Sequence, residues 1–222
     1  MNGTVLFGDV VGSRRDATAS TAWLRTLSAE LADAYSPDER LADFEFTQGD
    51  ELQGLLAPGA DPLRAVLRAW LHPDQLPMRW IVVAGDVDPG RGPATQRTGP
   101  AFLRARQRSE AVATRRDRLL MESGDPPTDA TLDDLAPLLA ELLSDLTERQ
   151  REIGRLILID GVRRSEAAER LDVRRATISV AAERAHLRSI ERLVRRLTAI
   201  FSEGAERAVA GLDAVASAER SA

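Results

Sequence analysis

Cysteine and lysine are both absent from the 222-residue chain, and histidine occurs only twice, at His72 and His186. The lack of cysteine excludes disulfides, thiolate zinc sites and cysteine nucleophiles, and it accords with a reducing cytoplasm. With so little histidine a histidine-rich metal centre is also excluded. Any metal would have to be held by oxygen ligands, which favour Mg²⁺ or Mn²⁺. Aromatic residues make up only 4% of the chain, so its core must be built mainly from Leu, Val, Ile and Ala. No run approaches the roughly 18 apolar residues needed to span a bilayer. The N-terminal MNGTVLFGDVVGSRR places its basic residues after the apolar stretch, the reverse of a secretory signal. These absences together lead us to expect a cytoplasmic protein with no membrane partner.

Charge is present but unevenly spread. The chain carries a formal net charge of −5, which argues against a protein that coats nucleic acid along its whole length. Residues 146–197, however, hold thirteen Arg against eight Asp plus Glu, a local charge of +5 that leaves −10 for the remainder. One segment is therefore suited to a polyanion and the rest is not.

The apolar pattern divides the chain into an α/β part and an all-helical part. The run 5–11, closed by Gly12 and Ser13, reads as a buried strand, and 19–35 has Trp23, Leu24, Leu27 and Leu31 on one helix face. Segments 44–47 and 51–56, flanking Gln48-Gly49-Asp50, read as a β-hairpin. Helix is predicted over 62–71, strand over 78–87, a Gly/Pro/Arg-rich loop over 89–98, helix over 100–113 with Pro100 at its first position, and an edge strand at 118–121. The order β-α-β-β-α-β, then α and β, predicts an α+β fold. It is a ferredoxin-like domain over 1–124, an antiparallel sheet with helices on one face. Gly124 to Asp129, with paired prolines, predicts a linker over about 125–130. An all-α domain over 131–202 and an Ala-rich tail over 203–222 follow. Helices are expected at 132–143, at 148–158 capped by Thr147, at 165–171, and as one long helix over 176–201. Trp23, Trp70 and Trp80 read as core, His72 as a helix C-terminal cap, and His186 as a surface residue of the long helix.

The all-α domain holds the most informative phrase, SEAAERLDVRRATIS. Ala168 and Leu171 point inward on a short helix, Asp172-Val173 makes a tight turn, and Val173 plugs it. Arg174, Arg175, Thr177 and Ser179 then fall on the first turns of the next helix, with Arg184 two turns on. Recognition helices meet phosphates and base edges from such positions. The phrase resembles the helix-turn-helix of sigma-factor region 4 and related bacterial regulators, which implies DNA as partner. The alternatives are a plain helical bundle with a solvated Arg face, or the same motif used for protein contact. Beside the Arg stripe run Leu187, Ile190, Leu193, Val194 and Leu197. This apolar seam either pairs with a symmetry mate in a homodimer or covers the module's own core.

The α/β part offers a second candidate site. Asp9 stands at the end of the first strand, and Asp50 and Glu51 at a hairpin tip. In a βαββαβ sheet those strands are neighbours, so the carboxylates can share a divalent cation and a substrate's phosphates. The backbone N–H groups of Val10, Val11, Gly12 and Ser13 are then placed to face a phosphate, beside Arg14. Alone, Asp9 reads as a turn former and Gly49-Asp50 as a hairpin corner. Arg91, Arg97, Arg104, Arg106 and Arg108 either line a phosphate pocket or form a solvated face.

The set FGDVVGS, TQGDE, RWIVVAGDV and TGPAFLRAR resembles the palm-type fold of class III nucleotidyl cyclases and diguanylate cyclases. The whole layout, helix-turn-helix included, is similar to the SatD-like family of bacterial proteins. The cyclase resemblance implies Mg²⁺ on Asp9 and Asp50, with Glu51 as the lesser candidate, and a bound nucleotide. Two departures bear on activity. Leu103 occupies the position where cyclases carry an Asn, although Arg104 or Arg106 remains to meet phosphate, and no lysine exists to assist a triphosphate. The implied function is therefore a DNA-binding regulator that senses a nucleotide. The alternatives are a nucleotidyl cyclase or related phosphoryl-transfer enzyme with a helical appendage, and an adaptor whose helical tail binds protein.

Overall fold

The computed structural model describes residues 1–47, 50–112 and 117–220. Gln48 and Gly49 of the expected hairpin tip, and Ala113, lie outside the described residues. In chain order the elements are β1 (Asn2–Val10), α1 (Ala17–Ala34), β2 (Arg40–Phe46), β3 (Glu51–Leu56), α2 (Leu63–Trp70), β4 (Met78–Asp86), α3 (Pro100–Val112) and β5 (Leu119–Glu122). The helical part follows as α4 (Pro126–Ser144), α5 (Glu148–Gly154), α6 (Arg164–Arg170), α7 (Arg175–Arg184) and α8 (Leu187–Arg220), with one turn of π-helix at Arg155–Ile159.

The protein is thus mixed α+β, with one five-stranded sheet ordered β2-β3-β1-β4-β5. The first four strands pair antiparallel, and β5 adds parallel to β4. A parallel neighbour needs a crossover, and α3 supplies it. That crossover corrects the expectation of helices on one face. Val5, Phe7, Leu55, Ile81, Val83 and Leu120 pack beneath Ala101, Phe102 and Ala105 of α3. On the opposite face Leu6, Val10, Leu52, Leu56, Trp80 and Val82 meet α1, α2 and the C-terminal helices. With period-2 alternation and both faces covered, β1 and β4 read as continuous apolar runs.

The expected linker at 125–130 is not one. Asp125 is the N-cap of α4 and Pro126 its first residue. Proline fits there because the first helical N–H has no intrahelical partner to lose. Packing also runs across the expected boundary, with Leu132, Leu139, Ile190 and Phe201 in one hydrophobic cluster with Leu6 and Val82. The tail expected from residue 203 is likewise the continuation of α8. At Gly204 that helix comes so close to the β5–α4 junction that an added Cβ would stand 2.5 Å from Ser123 Oγ and 2.6 Å from Thr128 Cγ2.

The long helix expected over 176–201 is broken. Ala185 ends α7, and His186 takes a left-handed conformation (φ 52°) before α8 begins. The buried positions Ile178, Ala182, Ala185, Leu187 and Ile190 run through the break. At about 100° per residue Ile178, Ala182 and Ala185 share one face of a continuous helix, whereas Leu187 and Ile190 fall roughly 120–180° away, so the shift of the apolar face marks the corner. The three tryptophans are buried as expected. His72 lies just beyond the α2 C-cap, where Nδ1 accepts the Asp74 N–H at 3.0 Å and the ring stands edge-on to Trp23.

Candidate functional site

Two places emerge, one at an end of the sheet and one on the helix-turn-helix. At the first, the register sets Asp9 opposite Glu51 of β3 and opposite Arg79 of β4. Cross-strand partners point to the same face, so all three stand on the α3 side. Asp50 joins them from the turn before β3. Its carbonyl accepts the Val10 N–H at 3.0 Å, and its carboxylate accepts the Ser13 hydroxyl. Arg79 Nη1 lies 3.4 Å from Asp9 Oδ2, and Gln53 donates to Glu51 at 2.5 Å.

Asp9 is the perturbed group. Burial, first, and then the nearby charge of Asp50 push its carboxyl up from 3.8 to about 6, against the opposing pull of Arg79. A strained like-charge pair of this kind is a common feature of functional sites. Among the described residues no group of three or more His, Asp or Glu side chains is placed to hold a metal ion. Asp9 and Asp50 therefore fit Mg²⁺ only where a ligand's own oxygens complete the shell, which is how this ion is usually held beside phosphates.

The phosphate-facing set is smaller than expected. The Val10 N–H is taken by the Asp50 carbonyl, and the Val11 N–H by the Pro77 carbonyl at 2.8 Å. This leaves the turn at Gly12, Ser13 and Arg14, where Gly12 is left-handed at φ 76°. Arg104 and Arg106 are not brought to Asp9. Arg104 Nη2 donates to the Ala84 carbonyl at 2.8 Å, and Ala84 pairs with Thr4. From Thr4 to Asp9 is roughly 17 Å along the strand. Arg106 is exposed on α3, and Arg97 is buried and donates to the carbonyls of Leu41 and Asp88. Arg108 is tied to Glu122 at 2.7 Å. No common phosphate pocket gathers these arginines. Arg79, by contrast, was missed in the sequence because only the β1–β4 register puts it beside Asp9.

The phrase expected to form a helix-turn-helix falls on α6, a turn and α7. Ala167 and Ala168 are buried, and the Val173 N–H bonds the Ala168 carbonyl at 2.9 Å. Asp172 sits at φ 48° in the turn, a conformation Asp tolerates better than most residues. Val173 is half-buried against the core. Arg174 is the α7 N-cap, and Ile178 and Ala182 bury the inner face of that helix. Arg174, Arg175, Thr177 and Arg184 are exposed and Ser179 is half-buried. Val180 was not foreseen. It stands opposite the buried face and is 47% exposed, at the centre of the outward surface. Arg163, Arg164, Arg174, Arg175, Arg184 and Arg188 are all exposed, and none forms an ion pair among the described residues.

One acidic side chain joins the helices over the sheet to the helical part of the chain. Glu30 of α1, half-buried, accepts Arg68 Nη1 of α2 at 3.0 Å and Arg155 Nη2 of the π turn at 2.8 Å. His72 Nε2 lies 3.7 Å from its other oxygen. Burial lowers the His72 pKa, so the Glu30 carboxylate serves chiefly the two arginines. Of the α8 seam, Leu187, Ile190 and Leu197 are buried within the chain, whereas Leu193 and Val194 are half-buried. Among the described residues no helix is long and apolar enough to cross a membrane.

No protein-family model and no curated protein matches the chain. A weak structural likeness connects it with a regulator of polyketide synthase expression from Bifidobacterium adolescentis. That match has 15% identity and a TM-score of 0.26, and covers 93% of this chain and 80% of the other. At that score the likeness carries no weight here.

Proposed function

We propose that this protein is a DNA-binding transcription regulator of the cytoplasm, in which a ferredoxin-like, palm-type sheet domain senses a nucleotide with Mg²⁺. The observation that carries the DNA reading is the outward face of α7. It presents Arg174, Arg175, Thr177, Val180 and Arg184 to solvent, with no acidic partner for the guanidiniums among the described residues. Guanidiniums left unpaired neutralise phosphates, Thr177 and Ser179 are short enough for close approach to base edges, and Val180 offers a surface for a thymine methyl group. The SatD-like resemblance supports the same reading through its motifs alone.

For the sheet domain, Asp9 and Asp50 would hold Mg²⁺ through the nucleotide's phosphates, with Gly12 to Arg14 facing those phosphates. The ion would offset the charge that Asp9 and Asp50 place on one another. Sensing is favoured over turnover because Leu103 stands where a cyclase has Asn, and Arg104 lies at the far end of the sheet. The homodimer expected from the α8 seam belongs to the same proposal, since Leu193 and Val194 of that seam are only half-buried.

The test is the salt dependence of DNA binding. Binding sequences are first selected from a random pool with the full chain, and affinity is then measured between 50 and 200 mM salt, roughly the range over which phosphate contacts dominate. Arg174→Ala with Arg175→Ala should weaken binding and flatten the log–log slope by about 1–2. An unchanged affinity and slope would refute the assignment of α7.

A further inference from the structure

At the end of the sheet opposite Asp9, a cavity of about 1440 Å³ opens between the ends of β4 and β5, α4 and the later turns of α8. That is larger than the roughly 300–1,000 Å³ of an ordinary small-molecule pocket. Ala84, Pro100, Phe201, Ala205, Ala208 and Leu212 give it an apolar wall, and Leu212 is 60% exposed.

Its charges are arranged against an anion. Arg104 and Arg108 hold the buried Glu122 from two sides, at 2.9 and 2.7 Å. Arg207 is committed to Asp125 at 3.2 Å and to the Thr128 hydroxyl at 2.5 Å. The natural anion seat, formed by the backbone N–H groups of Ser123 and Gly124, is filled by the chain's own Asp129 carboxylate at 2.6 and 3.3 Å. What lines the cavity is six carboxylates against three guanidiniums, a net −3. Asp86, Asp133 and Glu206 have no ion pair among the described residues and are exposed at its rim.

We propose that this cavity is a second ligand site, for a small organic cation with an apolar body. The apolar wall takes the body, and the carboxylates at the open rim attract the charged nitrogen. A phosphate-bearing ligand finds each guanidinium engaged and meets a surplus of negative charge. The site is separate from the Asp9 end and does not depend on DNA binding or on nucleotide sensing.

The test uses the full chain without DNA or nucleotide, titrated into the cationic dye rhodamine 6G and, separately, the anionic dye fluorescein, with fluorescence anisotropy as readout. Saturable rhodamine binding is expected, with fluorescein at least tenfold weaker. Asp133→Asn with Glu206→Gln should weaken rhodamine binding about five- to tenfold, and added salt should weaken it too. Ala208→Trp should weaken it by occupying part of the apolar wall. The two carboxylates are exposed, so the charge variant keeps the test decisive if Ala208→Trp does not fold. Absence of rhodamine binding, equal binding of the two dyes, or indifference to the charge variant would overturn the proposal.

Discussion

Replacing Asp9 by Asn should make this protein more stable, and more so as the pH rises. In the folded chain the Asp9 carboxyl ionises near 6 instead of the ordinary 3.8. Its folded pKa is raised, so the native state binds the proton more tightly than the unfolded chain does. The cost of that group to folding is small below the unfolded pKa, grows through the interval between the two values, and is complete above about 6. A shift of about two units is worth roughly 3 kcal/mol at full effect. The side chain keeps 29% of its exposure, and solvent screening reduces the expected gain to about 2 kcal/mol at pH 8. At pH 4.5 the gain should fall below about 1 kcal/mol. The loss of the long 3.4 Å contact with Arg79 subtracts little. Urea unfolding of parent and variant at both pH values measures the difference, and other titrating groups cancel in the comparison. Equal stability at pH 8, or a gain that does not shrink at pH 4.5, would refute the reasoning. A stabilising change at a buried carboxylate is also the usual signature of a group retained for binding rather than for the fold.

Other perturbations address the joints. Glu30→Ala removes the acceptor shared by Arg68 and Arg155, whose side chains are 23% and 24% exposed. Stranding partly buried cations should cost about 2 kcal/mol, below the 3–5 of a fully buried pair. A double-mutant cycle with Arg155→Ala should give a coupling above about 1 kcal/mol, and a value under about 0.3 would disprove the joint. Gly204→Ala should destabilise by about 1–3 kcal/mol, although the same change in an open helix gains up to about 1 kcal/mol. Gly211, on the same helix with nothing near its Cβ position, is the control and should show the gain. Thermal unfolding of the two variants decides it, and movement in the same direction would sink the close-packing argument.

Much of the fold could be read from the sequence where local chemistry and tertiary context agree. The β-branched run of β4, the Trp23–Leu24–Leu27–Leu31 face of α1 and the Thr147 cap appear where periodicity and capping place them. Thr147 accepts the Gln150 N–H while Gln150 reaches back to the Thr147 N–H. The misreadings have different causes. Paired prolines at 126–127 suit a linker and a helix start equally, and only the packing of α4 on β5 chooses between them. The corner at His186 shows as a shift of the apolar face between Ala185 and Leu187 that one helix over 176–201 does not accommodate, whereas the parallel pairing of β5 is a long-range fact with no local signal. In the candidate site, Asp9 and Asp50 stood out as carboxylates beside glycine. Arg79 and the remoteness of Arg104 follow from register, which one residue of slip would have reversed.

The arrangement of the ends explains how one chain can carry distinct chemistries. β1 runs antiparallel to both its neighbours, so its two ends meet different partners. Asp9 meets the turn before β3 and the start of β4, whereas Thr4 lies beside Ala84 and the cavity. Helices from the C-terminal part touch the sheet domain at two joints. The π turn touches α1 through Glu30, and α8 passes over the end of β5 at Gly204. A ligand at either end changes α7 only if it binds one arrangement of these helices better than another. The contacts that would transmit such a preference are the Glu30–Arg155 pair at one joint and the Gly204–Ser123 approach at the other. If Glu30→Ala weakened nucleotide control of DNA affinity while leaving nucleotide affinity in place, the first joint would be the route. If Gly204→Ala altered DNA affinity with no ligand present, α8 itself would set the resting position of α7.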